Sequence, residues 1–161
     1  MSEINALVGH YRDKYGIESH VLRPMTIGPG NVDFSRRQVI AEALGNSMLR
    51  IYADYVSNGS ARLIGITGSD MYARAPWRYR FSWRFMGQHA SVISTARMTE
   101  HYAGEPPAEA TVSQRLRKMV TKDIGILYYG KPLSINPKSV LYAAIGSLEE
   151  FDQMSEEFLS Q

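Results

Sequence analysis

VSQRLRKMVTKDIGILY, running from Val112 to Tyr128, is the stretch on which the fold turns. At about 100° per residue, Val112, Leu116, Met119, Val120, Ile124 and Leu127 gather on one side of a helix predicted over residues 108–128. Gly130 and Pro132 end it. Asp123 projects within roughly 20–30° of the middle of that apolar stripe, whereas Arg117, Lys118 and Thr121 are expected on the solvated side. A carboxylate set into a buried face costs on the order of several kcal/mol unless it is paired. Near a helix C-terminus it is also opposed by the macrodipole. A compensating partner is therefore expected, with Arg97, Tyr128 and the N-terminal helix as suppliers. The other reading is that the helix ends near Thr121 and Asp123 merely leaves it, aided by Gly125.

Working upstream, Trp77 to Phe85 alternates with period two. Trp77, Tyr79, Phe81, Trp83 and Phe85 fall on one face, and Arg78, Arg80, Ser82 and Arg84 on the other. This predicts a strand, followed by a turn at Gly87–Gln88 and a second strand over residues 91–95. Residues 61–67 read as a short apolar strand, and residues 18–25 as a loosely alternating one. Ser35 is the expected N-cap of a helix reaching Val56, and residues 4–15 form an opening helix stopped by Gly16. Downstream, a loop at Gly104–Pro107 precedes the long helix. Ser147 with Glu150 forms a capping box for a last helix. Its acids Glu149, Glu150 and Asp152, together with Glu156 and Glu157, are expected on a solvated face. The order is α+β, with strands in the middle and helices around them. No repeat or linker divides residues 1–161, so one domain is expected.

The composition limits the chemistry. The 161 residues carry a net charge of +2 and no cysteine, which excludes disulfides, thiolate metal sites and a cysteine nucleophile. No apolar run approaches the ~20 residues that span a bilayer, and the first residues do not form a signal peptide, so a cytoplasmic location is the default expectation. His10, His20, His89 and His101 stand at scattered spacings that do not suggest a metal site. Asp70, just after a strand, reads as a turn or cap acid.

Several segments together resemble the archaemetzincins, small zinc proteases whose central helix carries HExxHxxGxxH, followed by a cysteine-bearing loop and a methionine turn. Ile64–Gly65–Ile66–Thr67 with Asp70–Met71–Tyr72 is similar to one of their strands and its acidic follow-on. Residues 90–98 are similar to a second diagnostic strand, and Arg115–Leu116–Arg117–Lys118 to the basic approach to the helix. Ser139–Val140–Leu141–Tyr142 resembles the methionine turn, with residues 147–152 as the helix beyond it. The likeness runs in matching order from Val32 to Asp152. It implies a zincin (metalloprotease-like) fold: a small mixed sheet, an active-site helix and flanking helices.

The resemblance does not bring the chemistry with it. Two histidines four residues apart must face the metal from one side of a helix, with a glutamate beside the first to activate water. Aligned on the motif, the first ligand becomes Lys122, the catalytic glutamate Asp123, the second ligand Ile126, the glycine Tyr129 and the third ligand Pro132; the turn methionine becomes Leu141. No metal or other cofactor is expected. The functional expectation is a non-catalytic pseudopeptidase that keeps a groove for a peptide or protein ligand, with Tyr128, Lys131, Arg78, Arg80 and Arg84 as groove candidates. The alternative is a hydrolase using Asp123 by other chemistry. A nucleic-acid role for residues 77–85 is disfavoured, because the arginines and aromatics of one strand point to opposite faces.

Overall fold

The structure, a computed structural model, describes residues 2–73, 76–101 and 108–159. The loop expected at Gly104–Pro107 lies outside the described residues. Helix α1 (Glu3–Tyr15) starts under Ser2, whose hydroxyl accepts from the Asn5 N–H, and ends at Gly16 in the left-handed conformation. Strands β1 (Val32–Asp33) and β2 (Gln38–Ile40) form a hairpin, and β4 (Met71–Tyr72) pairs parallel with β2. The larger sheet joins β3 (Leu63–Thr67), β6 (Ala90–Ser94) and β5 (Ser82–Phe85) in the order β3–β6–β5. β3 runs parallel to β6 and β5 antiparallel to it, so the sheet is mixed as expected.

Helices cover both faces of this sheet. On one side Ala90 and Val92 pack with Leu44 and Met48 of α2 (Ala41–Ile51), which continues after a break into the short α3 (Ala53–Val56). On the other side Ile93 packs with Leu116, Met119 and Val120 of α4 (Glu109–Leu127), and with Phe151 of α5 (Leu148–Gln153). Glycine permits two close approaches. A β-carbon on Gly45 would lie 2.1 Å from the Phe85 ring, and one on Gly125 would lie 2.7 Å from the Phe158 ring.

Several expectations need correction. Residues 18–25 form no strand, because no other strand lies alongside to supply a ladder. The helix expected from Ser35 starts at Ala41, since residues 38–40 pair with β1 and β4. Ser35 instead donates from its amide and hydroxyl to Asp33 in the hairpin turn. Of residues 77–85 only Ser82–Phe85 is strand; upstream the Arg80 N–H bonds the Met71 carbonyl, which takes the chain off β6. Lys118 and Thr121 are buried rather than solvated, because α1 and α5 cover the helix outside the sheet-facing stripe. Thr121 Oγ1 lies 2.8 Å from the Tyr11 hydroxyl, and Lys118 donates to the Phe151 and Asp152 carbonyls. Of the C-terminal acids, Glu149 and Glu157 are exposed as expected, Glu157 pairing with Lys14 at the surface, whereas Asp152 takes Arg115 through both oxygens and Glu156 pairs with Arg117. The Ser147 hydroxyl accepts from the Glu150 N–H as read, while the Glu150 carboxylate takes the Gly146 N–H in place of the Ser147 N–H that a full capping box would use.

Candidate functional site

Helix α4 continues without interruption past Thr121 to Leu127, which settles the alternative in which Asp123 leaves the helix. Asp123 is fully buried and faces β5. Its Oδ1 accepts from Arg84 Nη1 at 2.8 Å and its Oδ2 from the Ser82 hydroxyl at 2.7 Å. Ser82 and Arg84 stand two apart on β5, so the pleat turns both side chains to the α4 side, while Trp83 and Phe85 pack on the α2 side. Ser91, opposite Arg84 in register on β6, lies on the same face. It is fully buried, and its hydroxyl has no hydrogen-bond partner among the described residues.

Lys122, the neighbouring residue, is also buried, and its ammonium donates to the Tyr142 carbonyl. Burial pushes its pKa down to about 8; the Arg84 and Arg80 charges push the same way, and Asp123 opposes them. The helix terminus beyond is closed by Arg62, which donates to the Leu127, Gly59 and Ala61 carbonyls.

The structure therefore gathers Asp123, Lys122 and Arg84, with the Arg80 charge nearby. Arg80 itself lies over the Trp77 and Trp83 rings, at 4.8 and 5.8 Å. The other positions disperse. Ile126 is buried in the core, Pro132 is exposed, and Leu141 packs where Gly125 leaves room. Tyr129 and Lys131 meet the Phe158 ring, Tyr128 faces Arg62, and the Arg78 carbonyl is tied to Gln38 and Arg36. The partners expected for Asp123 were Arg97, Tyr128 or the N-terminal helix, and none of them supplies it. Arg97 belongs to Asp70, reached by Nε at 3.0 Å and Nη2 at 2.6 Å. Ser82 is the participant that sequence reasoning missed. The alternation within Ser82–Phe85 carried its signal, since the polar face of a strand under a helix must find polar partners there.

The residues do not fit the zinc ion that the archaemetzincin resemblance implies. Ile126 and Pro132 offer no donor, the Lys122 amine is engaged, and both Asp123 oxygens are held by Arg84 and Ser82. No group of three or more His, Cys, Asp or Glu among the described residues is placed to hold a metal. A guanidinium supplies the positive charge that neutralises this carboxylate.

No protein-family profile matches the chain. It is 28% identical over 140 residues to the archaemetzincin of Pyrococcus abyssi (strain GE5 / Orsay), covering 86% of this chain and 71% of that one. Among solved structures it resembles a zinc-dependent peptidase from Methanocorpusculum labreanum (strain Z), with a TM-score of 0.79 and 14% identity over 98% of this chain and 89% of the other. It also resembles the archaemetzincin of Archaeoglobus fulgidus complexed with malonate, with a TM-score of 0.74 and 19% identity over 98% of this chain and 87% of the other. The archaemetzincin of Methanopyrus kandleri gives a TM-score of 0.73 and 20% identity over 97% and 79% of the two chains. The chain is thus related to the archaemetzincins and shares their fold.

Proposed function

We propose that this relative of the zinc-dependent peptidases is a non-catalytic peptide- or protein-binding member of the group. The observation carrying the proposal is the Asp123–Arg84–Ser82 lock, standing where the resemblance puts the water-activating glutamate. A general base must reach the proton it removes, within about 3 Å or through one water. Asp123 is fully buried with both oxygens occupied. This disfavours the alternative of a hydrolase built on Asp123.

The groove half of the proposal rests on β5, an outer strand of its sheet. The Ser94 N–H donates to the Phe81 carbonyl, so the antiparallel ladder alternates to turn the backbone groups of Ser82 and Arg84 outward. An extended peptide can add to such an edge. A nucleic-acid role finds no support, since Arg84 is held by Asp123 and Arg80 lies over this protein's own tryptophans.

The test is a degenerate peptide library incubated with the purified chain, with added zinc and separately with EDTA. Intact peptides that bind and shift the Ser82 and Arg84 amide resonances are expected. Cleavage abolished by EDTA would overturn the proposal.

A further inference from the structure

Arg97, Arg115 and Arg117 each close on a carboxylate with Nε and Nη2 together. Arg97 holds Asp70 at 3.0 and 2.6 Å, Arg115 holds Asp152 at 2.8 and 2.7 Å, and Arg117 reaches both oxygens of Glu156. Arg84 does not. Its contact is Nη1 to Asp123 Oδ1, because the Ser82 hydroxyl already takes Oδ2. The Nε and Nη2 of Arg84 have no partner among the described residues and, unlike the Ser91 hydroxyl, they are not sealed from solvent. The Arg84 side chain is 22% exposed where Asp123 is fully buried, so this half of the guanidinium fork looks outward.

The backbone adds a direction. Ser82 and Arg84 stand opposite Ile93 and Ser91 in non-hydrogen-bonded pairs, so their own N–H and C=O groups face away from β6. A segment laid along that edge pairs with Arg84 itself. The segment's residue opposite Arg84 shares its face of the sheet, with the two β-carbons about 5 Å apart. That face is the α4 side, where the Arg84 fork opens. The residues before and after it turn to the α2 side, next to the half-buried Trp83 and Phe85 rings. Charge points the same way. Burial is the main cause of the lowered Lys122 pKa, and the Arg84 charge comes next, with an effect that exceeds the opposing one of Asp123. Lys122 and Arg84 share one neighbouring carboxylate, which leaves the site positive.

We infer that Arg84 is a specificity residue of the β5 edge: through Nε and Nη2 it takes the side-chain carboxylate of an Asp or Glu in an added peptide, while Asp123 and Ser82 fix the other side of the pair. The ligand is an extended segment with an acid at the position facing Arg84 and apolar residues directly before and after it. A carboxylate matches the guanidinium fork through two parallel hydrogen bonds, whereas an ammonium at the same place would meet Arg84 and Lys122 as like charges. The inference rests on the strand-addition reading of β5 proposed above, and adds to it which peptides the edge selects.

The experiment uses the whole chain and peptides with a Val-X-Val core flanked by Gly-Ser, blocked at both ends, in which X is Glu, Gln or Lys. Binding is followed by the backbone amide resonances of Ser82 and Arg84 and by the Arg84 Nε–H resonance. The Glu peptide is expected to bind roughly tenfold more tightly than the Gln peptide, and the Lys peptide more weakly than either. The Glu peptide shifts all these resonances, and its advantage shrinks as salt is raised. In the Asp123→Leu/Arg84→Met variant, once urea unfolding has verified its fold, the ratio of Glu to Gln affinities falls to about one. Equal binding of the Glu and Gln peptides, with both amides shifted, would overturn the carboxylate inference and leave strand addition at β5 standing. No shift of Ser82 or Arg84 with any peptide removes both readings. A Gln peptide with a free C-terminus that binds as tightly as the blocked Glu peptide assigns the fork to a chain terminus and overturns the side-chain assignment. A Glu preference that persists in the double variant puts the acid on another cation and overturns it as well.

Discussion

Asp70 and Asp123 each meet an arginine, but one pair ties loops together and the other fills the middle of the molecule. Asp70 follows β3, keeps its side chain partly exposed, and is held by two parallel bonds from Arg97, one from Gln38 and its neighbour's N–H on Met71. Arg97 in turn also bonds Glu100 and lies 5.0 Å from the Tyr79 ring. Asp123 has one arginine contact and one hydroxyl, with no water-exposed surface. The first arrangement is redundant, so losing one contact leaves several and admits water. The second has no reserve, and whatever replaces either partner faces an unpaired buried charge. Position in the fold, more than the number of ion pairs, sets what each pair is worth.

Substitution tests that contrast, beginning with the largest effect. Asp123→Ala strands the Arg84 guanidinium and is expected to cost about 3–5 kcal/mol in urea unfolding. Arg84→Met alone should cost a similar amount. The double variant Asp123→Leu/Arg84→Met should recover much of the loss, giving a coupling of roughly 2 kcal/mol or more in the cycle. Additive losses would mean that the two residues do not act as a pair.

Lys122 shows the opposite behaviour, a buried charge that weakens the fold. Its folded pKa, about 8, lies below the ordinary lysine value. Between these values the unfolded chain binds more protons, so this group makes stability rise with pH across that window; below it the full penalty applies. The penalty on the charged form is roughly 3 kcal/mol, partly offset by the bond to the Tyr142 carbonyl. Lys122→Met should therefore be at least as stable as the parent at pH 7, with the difference shrinking toward pH 10. Urea unfolding at a series of pH values reads this directly, and a deficit at pH 7 would contradict it.

The smallest effect belongs to the loop pair. Burial alone would raise the Asp70 carboxyl, but the Arg97 and Gln38 hydrogen bonds and the Arg97 charge outweigh it and hold it below the usual range. Its contribution is present above the unfolded pKa and is lost as pH falls through the folded one. Asp70→Asn should cost about 1–2 kcal/mol at pH 7, with the deficit narrowing below about pH 4. A loss as large as that of Asp123→Ala would erase the distinction between the two pairs.

The sequence made the inward acid legible because helical period and polarity disagree at a single position on α4. The capping signals at Gly16 and Ser147 were equally local, and both were readable. What period could not supply was the identity of Asp123's partner. Arg97 is nearer in sequence and was the natural choice, but Arg84 is brought under α4 only by the β5–β6 register. Lys118 and Thr121 were misplaced for a related reason. A helix covered on one side shows a polar back, whereas α4 is covered by the sheet, α1 and α5, and its polar residues are buried with partners.

The most direct test of the Asp123–Arg84 lock is metal analysis of the purified chain after growth and dialysis in zinc. The expected result is zinc far below stoichiometry, unchanged by Asp123→Asn. About one tightly held zinc per chain, lost in Asp123→Asn, would show that the carboxylate still serves a metal and would contradict the account.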